Sequence, residues 1–415
     1  MHRLVMVLFV FGVAGTLFGQ EWREDKFVPM KEDIVSYDIS RSGNILVAVS
    51  ARGPAARFDL TAKAVKGKKV QPKATSVVFS PAPQGDFVVF GKPSNRYDAG
   101  GMKDVEFQLG DNNIVVNKAE GGSHFIVQGP GWFHVWSYSQ RMNGFGFDPR
   151  HRIMLSHDGN RVVFWNGVRG SLIAYNGGFK HPSSSKSVPF PDLEWFWKLE
   201  NPPAIVGLSA SYDGQVVALA LEDGAIYAHL ESKVDTKRKE EMEAAGMPTY
   251  GGVPHVVDSL ADAGAMEGMD KKGVTAIAVS PKGELIAAGQ SLHPQSAGSD
   301  ASKDSSHILV WQKGEAPTVV GVHKSPVVQL QFLDDSRLVS AVQDGEIGIW
   351  NLASGGSQLL PGHGVIKKFV LSVDRKTVVV LQTIKDKEDA FVVFKEEKAG
   401  SRPQLEKAVT AVPKK

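Results

Sequence analysis

Residues 326–352, PVVQLQFLDDSRLVSAVQDGEIGIWNL, read as three short strands split by two polar turns, and the same grammar recurs along the chain. A unit of this size cannot bury its apolar face alone, so neighbouring copies must stack and share one core. Length constrains the fold far less. A chain of 415 residues would ordinarily suggest two or three domains, but an array grows by adding units.

Eight units align on this grammar, with first strands opening at Ile34, Ser76, Asn113, Arg152, Ala204, Val274, Pro326 and Ile366. Each continues into a Ser/Asp/Gly/Pro turn, a second apolar strand such as NILVAVS, QVVALAL or TVVVLQ, a polar gap and a third strand. In the second unit the third strand is degenerate, around Arg96-Tyr97-Asp98. The shorter separations lie near the roughly 40–45 residues of a propeller blade. Runs such as Val-Val-Phe are apolar on both faces, as suits sheets covered on both sides. The longer separations carry insertions at 177–191, 231–272 and 291–306. Only 234–245 looks helical, with interleaved charges and no apolar stripe, as on a solvated insertion.

The seventh unit resembles a WD40 repeat. His323 stands before its first strand, Ser340 in the second, Asp344 in the Asp-Gly turn and Trp350 in the third. The resemblance implies a hydrogen-bonded tetrad. The imidazole bridges the Asp carboxylate and the Ser hydroxyl, and the hydroxyl accepts the indole N–H, so that every buried polar group is satisfied. The eighth unit keeps Gly362-His363 but places Val380 and Phe394 where Ser and Trp would stand; the sixth keeps Trp311, and the first offers Phe58-Asp59. The fold expected is all-β: a single closed β-propeller of WD40-like four-stranded blades over 20–395, with a polar tail at 396–415. Phe27–Met30, in the pattern KFVPMK, would complete the last blade and leave no open edge. Eight blades are expected, with seven the alternative if the second and third units do not each form one.

The chain opens with a short basic start (His2, Arg3), an apolar run over 4–18 and then Gly19-Gln20, the pattern of a secretory signal peptide over 1–19. An uncleaved anchor is the alternative, although the run is short of the roughly 20 residues of a membrane span. Cysteine is absent, which excludes disulfides, thiolate nucleophiles, Cys-ligated metals and a lipoprotein anchor. The sequence also lacks an Asn-x-Ser/Thr sequon, and both features suit a bacterial periplasm or cell exterior. A formal net charge of +2 gives no basic excess for a nucleic-acid backbone.

His151 and His157 flank a strand close to Asp148 and Asp158, a set of residue types that could ligate a metal. Turn polarity is the preferred reading, because His157-Asp158-Gly159-Asn160 is a turn signature. The aromatics Trp132, Phe133, Trp136 and Tyr138, with Trp195, Phe196 and Trp197, could form a stacking surface, and core packing is again preferred. Motifs of hydrolases, zinc proteases, P-loops and calcium loops do not occur. The function expected is a non-catalytic scaffold without cofactor or metal, binding a protein partner of an envelope or surface assembly through propeller-face loops, chiefly 231–272 and 291–306. The alternative is a propeller enzyme (hydrolase, lyase or quinone-dependent oxidoreductase) with its site at the ring axis.

Overall fold

The computed structural model describes residues 20–398 apart from inter-strand segments, the longest being 177–191, 230–257, 260–272 and 292–304. Among the described residues the chain forms eight four-stranded antiparallel sheets and no helix. The helix read at 234–245 lies outside the described residues. The first sheet runs through Ile34–Ile39, Ile45–Ser50, Ala55–Asp59 and Gly67–Gln71 in sequence order. Six more sheets repeat this meander, with first strands at Ser76–Ala82, Ile114–Lys118, Arg152–Leu155, Ile205–Ala210, Val274–Val279 and Val327–Phe332. Ser94–Asp98 supplies the third strand of the second sheet, where the sequence pattern is weakest.

The eighth sheet is composite. Val365–Leu371, Thr377–Thr383 and Asp389–Lys398 pair in order, and the outer fourth strand is the N-terminal Gln20–Pro29. Both terminal strands are longer than the sequence pattern indicates. The N-terminal strand begins at Gln20, well before Phe27, and the last runs through Lys398 into the segment read as tail. The reason is packing at the far end. Trp22 is buried within the cluster that joins the seventh and eighth sheets, where a side chain of its size contributes about 3 kcal/mol. Its backbone exchanges two hydrogen bonds with the Gln358 side chain, at 3.0 and 2.7 Å.

The first strand of each sheet lies against the first strand of the next, and that of the eighth lies against that of the first. Side chains rivet these neighbours together. Ser36 Oγ and Asp38 Oδ2 accept the Val77 and Phe79 N–H groups at 3.0 and 2.8 Å. Ser209 Oγ accepts the Val279 N–H at 3.0 Å, and Gln329 both donates to and accepts from the Phe369 backbone. The buried Tyr37 hydroxyl donates to the Lys368 carbonyl at 2.7 Å, tying the first sheet to the eighth. Asp389, fully buried, accepts the Ile34 N–H at 2.7 Å and pairs with Lys367 at 2.8 Å, so its charge is compensated. Apolar clusters fill the spaces between sheets one and two, four and five, and each successive pair from five round to one.

The first strands carry a recurrent irregularity. Register shifts occur between Ile34 and Ser36, Ile205 and Gly207, Val274 and Ala276, Val327 and Gln329, and Ile366 and Lys368. An extra residue at this point sharpens the local twist, which suits strands that converge on a common centre.

Candidate functional site

One face of the array is built from the turns that leave the first strands. In five sheets this turn begins with a buried serine: Ser40, Ser156, Ser211, Ser280 and Ser372. Each serine Oγ accepts the N–H of the residue five positions on, at 2.9–3.0 Å. In three of them the hydroxyl also donates to an aspartate two residues on, Asp158, Asp213 or Asp374. A short polar side chain thus satisfies turn backbone that would otherwise be orphaned. The fourth position of the turn needs positive φ, and Gly43, Gly214 and Gly283 supply it at +71°, +72° and +77°. The eighth sheet places Arg375 there, at φ +59° with the same Ser372 C=O bond to its N–H. It is the non-glycine residue with positive φ among those described.

Arg375 lies over a cavity of about 180 Å³ bounded by the first strands of the fifth, sixth and seventh sheets. Leu208, Ile277, Leu330 and Phe332 give it apolar walls, while Ser209, Gln331, Tyr212 and His157 add polar groups. The Arg375 guanidinium donates to the Phe332 carbonyl at 3.4 Å and to His157 Nδ1 at 3.3 Å. It therefore reaches from the eighth sheet to the fourth. His157 in turn stacks on Tyr212, with ring centroids 6.0 Å apart. The turns beneath are linked by backbone bonds, Asp158 N–H to Tyr212 C=O and Tyr212 N–H to Pro281 C=O. This cavity combines apolar walls with a guanidinium held by the seventh and fourth sheets.

His323, the last residue of the outer strand Thr318–His323 of the sixth sheet, converges with Ser340 and Trp350 of the seventh. His323 Nε2 lies 2.8 Å from Ser340 Oγ, and Trp350 Nε1 donates to the same oxygen at 2.7 Å. The imidazole meets the indole edge-on at 88°. The carboxylate partner is Glu346, whose Oε1 lies 2.7 Å from His323 Nδ1, and not Asp344. Asp344 is exposed in the turn, and its backbone N–H donates to Ser325 Oγ at 3.2 Å. Gly345, at φ +110°, completes that turn, and Glu346, immediately before the strand Ile347–Asn351, brings its carboxylate to the imidazole. The network requires Gly348: a Cβ there would come within 2.6 Å of both Ser340 Oγ and Trp350 Nε1. Burial holds the His323 pKa below the usual histidine value, against the opposing pull of Glu346 and Asp344. The neutral ring then donates from Nδ1 to Glu346 and accepts the Ser340 proton at Nε2.

The remaining sequence candidates fall as follows. His157 faces the Arg375 cavity, while His151 and Asp148 lie outside the described residues. Groups of three or more potential metal ligands do not occur among the described residues. Trp132, Phe133 and Trp136 lie on the third strand of the third sheet, and Trp195, Phe196 and Trp197 on the outer strand of the fourth; Tyr138 is outside the described residues. The loops expected to contact a partner are likewise outside them, save Asp258–Ser259, the outer strand of the fifth sheet, and the ends of 291–306. Arg375 escapes a motif scan. Its signal is positional, a side chain where the aligned turns carry glycine.

Searches of family models and of curated proteins return no match. Solved structures do match. Sqt1 of Saccharomyces cerevisiae superposes with a TM-score of 0.57 at 13% identity, covering 89% of this chain and 97% of that one. Sqt1 of Chaetomium thermophilum gives 0.56 at 16%, covering 91% and 99%. The C-terminal WD40 domain of Sif2 gives 0.54 at 12%, covering 89% and 97%. At such identities the likeness concerns the fold alone, and that fold is a WD40-like β-propeller.

Proposed function

We propose that this chain is a closed, eight-bladed propeller that serves as a non-catalytic protein-binding scaffold in a bacterial periplasm or at the cell surface. Residues 1–19 act as a signal peptide, and the mature chain starts at the strand that completes the eighth sheet. The observation that carries the ring is the composite eighth sheet, in which the first and last strands pair from Gln20–Lys398 to Pro29–Ala390. Both ends of the chain are thereby held in one blade, and the circle of first-strand contacts needs no further element. His323, Ser340, Glu346 and Trp350 serve the fold, since His323, Ser340 and Trp350 are buried and satisfy one another.

The scaffold reading rests on a repeated four-stranded frame whose inter-strand connections differ widely in length along the sequence. A protein partner within a multi-subunit envelope assembly would be recognised through 231–272 and 291–306. Among the described residues no helix is long and apolar enough to cross a membrane. The test is affinity capture from the native source with tagged chain and with a variant lacking 293–305. Loss of a specific partner on deletion supports the reading; recovery of every partner unchanged counts against that loop as the contact. Terminal sequencing of the exported protein checks the signal peptide, with Gln20 as the expected first residue.

A further inference from the structure

The outer strand of the first sheet, Gly67–Gln71, carries more positive charge than its place in the fold requires. From Arg57 to Lys73 the chain has six cations (Arg57, Lys63, Lys66, Lys68, Lys69 and Lys73) against one acid, Asp59, in a protein whose net charge is only +2. Asp59 is engaged by Thr61, which donates to it from its N–H at 2.9 Å and from its hydroxyl at 2.6 Å. The five lysines are exposed, and none takes part in an ion pair among the described residues. Arg57 and Lys68 stand directly opposite each other across the strand pair, which is destabilising for like charges. Arg57 Nε is also buried with no hydrogen-bond partner among the described residues.

Protection of an open edge does not account for this charge. Lysines do keep edge strands from pairing with other chains. Yet the outer strands of the sixth and seventh sheets, Thr318–His323 and Gly356–Leu360, contain no lysine and expose Val319, Val322 and Leu359. The outer strand of the eighth carries both signs and pairs them, Arg23 with Glu21 and Glu397, and Asp25 with Lys395. The basic strand is firmly seated. Val65 packs on the cluster between the first and eighth sheets, and Val70 on the one between the first and second. Gly67 lets the backbone lie on the Phe58 ring, where a Cβ would come within 2.7 Å of the ring edge. Its charges are therefore presented from a fixed backbone.

We propose that the Gly67–Gln71 edge is a docking strand for an extended acidic segment of a partner protein. The segment adds to the first sheet as a fifth strand. Main-chain hydrogen bonds supply the register, and glutamates or aspartates at alternate positions lie against Lys66, Lys68 and Lys69. Opposite charges on neighbouring strands attract, so the same contact relieves the repulsion between Arg57 and Lys68. An anionic lipid surface would screen the lysines but leave the outer backbone groups of the strand without a partner, so the protein segment is the better fit. This inference rests on the protein-binding reading above and gives the chemistry of a partner.

The probe is the capped peptide Thr-Val-Glu-Val-Glu-Val-Thr, titrated by calorimetry into the full chain at low ionic strength. Its controls are the same peptide with Gln for Glu, a form N-methylated at alternate backbone nitrogens, and vesicles of phosphatidylglycerol and phosphatidylethanolamine. The acidic peptide should bind saturably, and the Gln and N-methylated peptides at least about tenfold more weakly. Lys68→Gln/Lys69→Gln should weaken the acidic peptide by a similar factor, while Lys68→Gln alone should raise the melting temperature at low salt by removing the like-charge pair. Lys324→Gln, at an exposed lysine remote from this edge in the sequence, should leave binding unchanged. The proposal is overturned if the acidic peptide does not bind, if either control peptide binds as well, or if the double variant binds as the parent does. Binding of the vesicles in place of the peptide also overturns it and assigns the lysines to a membrane surface. Failure of the scaffold reading looks different: affinity capture then yields no specific partner with any form of the chain, whereas failure of the edge alone leaves a partner that the double variant captures equally.

Discussion

The sixth and seventh sheets share a backbone plan and differ at the buried position that serves the indole N–H. In the seventh, Leu338 pairs with Trp350 and Ser340 with Gly348; in the sixth, Ile286 pairs with Trp311 and Ala288 with Leu309. Ala288 thus occupies the place of Ser340. The consequence is visible at the indoles. Trp350 Nε1 has its serine acceptor, whereas Trp311 Nε1 is buried with no hydrogen-bond partner among the described residues. The eighth sheet takes a third course. Val380 and Phe394 stand at the two positions, both fully buried, and no polar group needs a partner. A complete network and an apolar replacement are both sound solutions, while half a network leaves a desolvated donor unpaired. The repeat therefore specifies shape in every sheet, but the tetrad chemistry only where all its members are present.

The strongest way to break this contrast is Ser340→Ala, which gives the seventh sheet the sixth sheet's defect twice over. It strands both His323 Nε2 and Trp350 Nε1, and should cost about 2–4 kcal/mol in denaturant unfolding; a loss below about 0.5 kcal/mol would refute the network. His323→Ala should cost about 1–3 kcal/mol, since it removes the partner of both Ser340 and Glu346.

The histidine also gives the contrast a pH signature. Its folded pKa is depressed by burial, so below the ordinary value of about 6.5 the unfolded chain binds the extra proton first. The stability contributed by neutral His323 is present above that value and is lost as pH falls through the lower folded value. The parent's stability should therefore decline with acidification more steeply than that of His323→Ala, as followed by unfolding titrations between pH 7 and 5.

The sixth sheet offers the converse. Ala288→Ser alone should fail to stabilise, because Leu309 places a Cβ where Gly348 leaves room between the hydroxyl and the indole; stabilisation by about 1 kcal/mol would show that the indole gains an acceptor there without the glycine. The smallest expected effect separates the two acids. Glu346→Gln should cost about 1 kcal/mol, whereas Asp344→Asn, at an exposed turn residue, should stay within about 0.5 kcal/mol. The reverse order would restore Asp344 as the imidazole's partner.

Strands and turns were legible because their signals are local. Apolar runs split by Ser/Asp/Gly/Pro turns mark the meander, and the signal is weakest at Ser94–Asp98, where the strand carries few apolar residues. The convergence of His323, Ser340 and Trp350 followed from a resemblance in a single repeat. The choice between Asp344 and Glu346 did not, because it depends on how the Gly345 turn aims two acids only two residues apart. The cavity was less legible still. Arg375 and His157 are 218 residues apart and meet only because the array brings the fourth and eighth sheets to one centre. Trp22 illustrates the same limit: nothing in its neighbourhood marks it as core, since the cluster that buries it comes from the other end of the chain.

The central claim is that the N-terminal strand pairs with the last strand from Gln20–Lys398 to Pro29–Ala390, the contact on which the proposed closed ring rests. The chain has no cysteine, so a single engineered pair reports on this contact without interference. Arg23 and Lys395 are directly opposite partners, at the Cα spacing of an antiparallel pair that a disulfide can bridge. The double substitution Arg23→Cys/Lys395→Cys should oxidise to an intramolecular disulfide in the folded monomer, with thiols consumed and the melting temperature raised on oxidation. Thiols that stay free in the folded protein, or that form only intermolecular dimers, would contradict the closure.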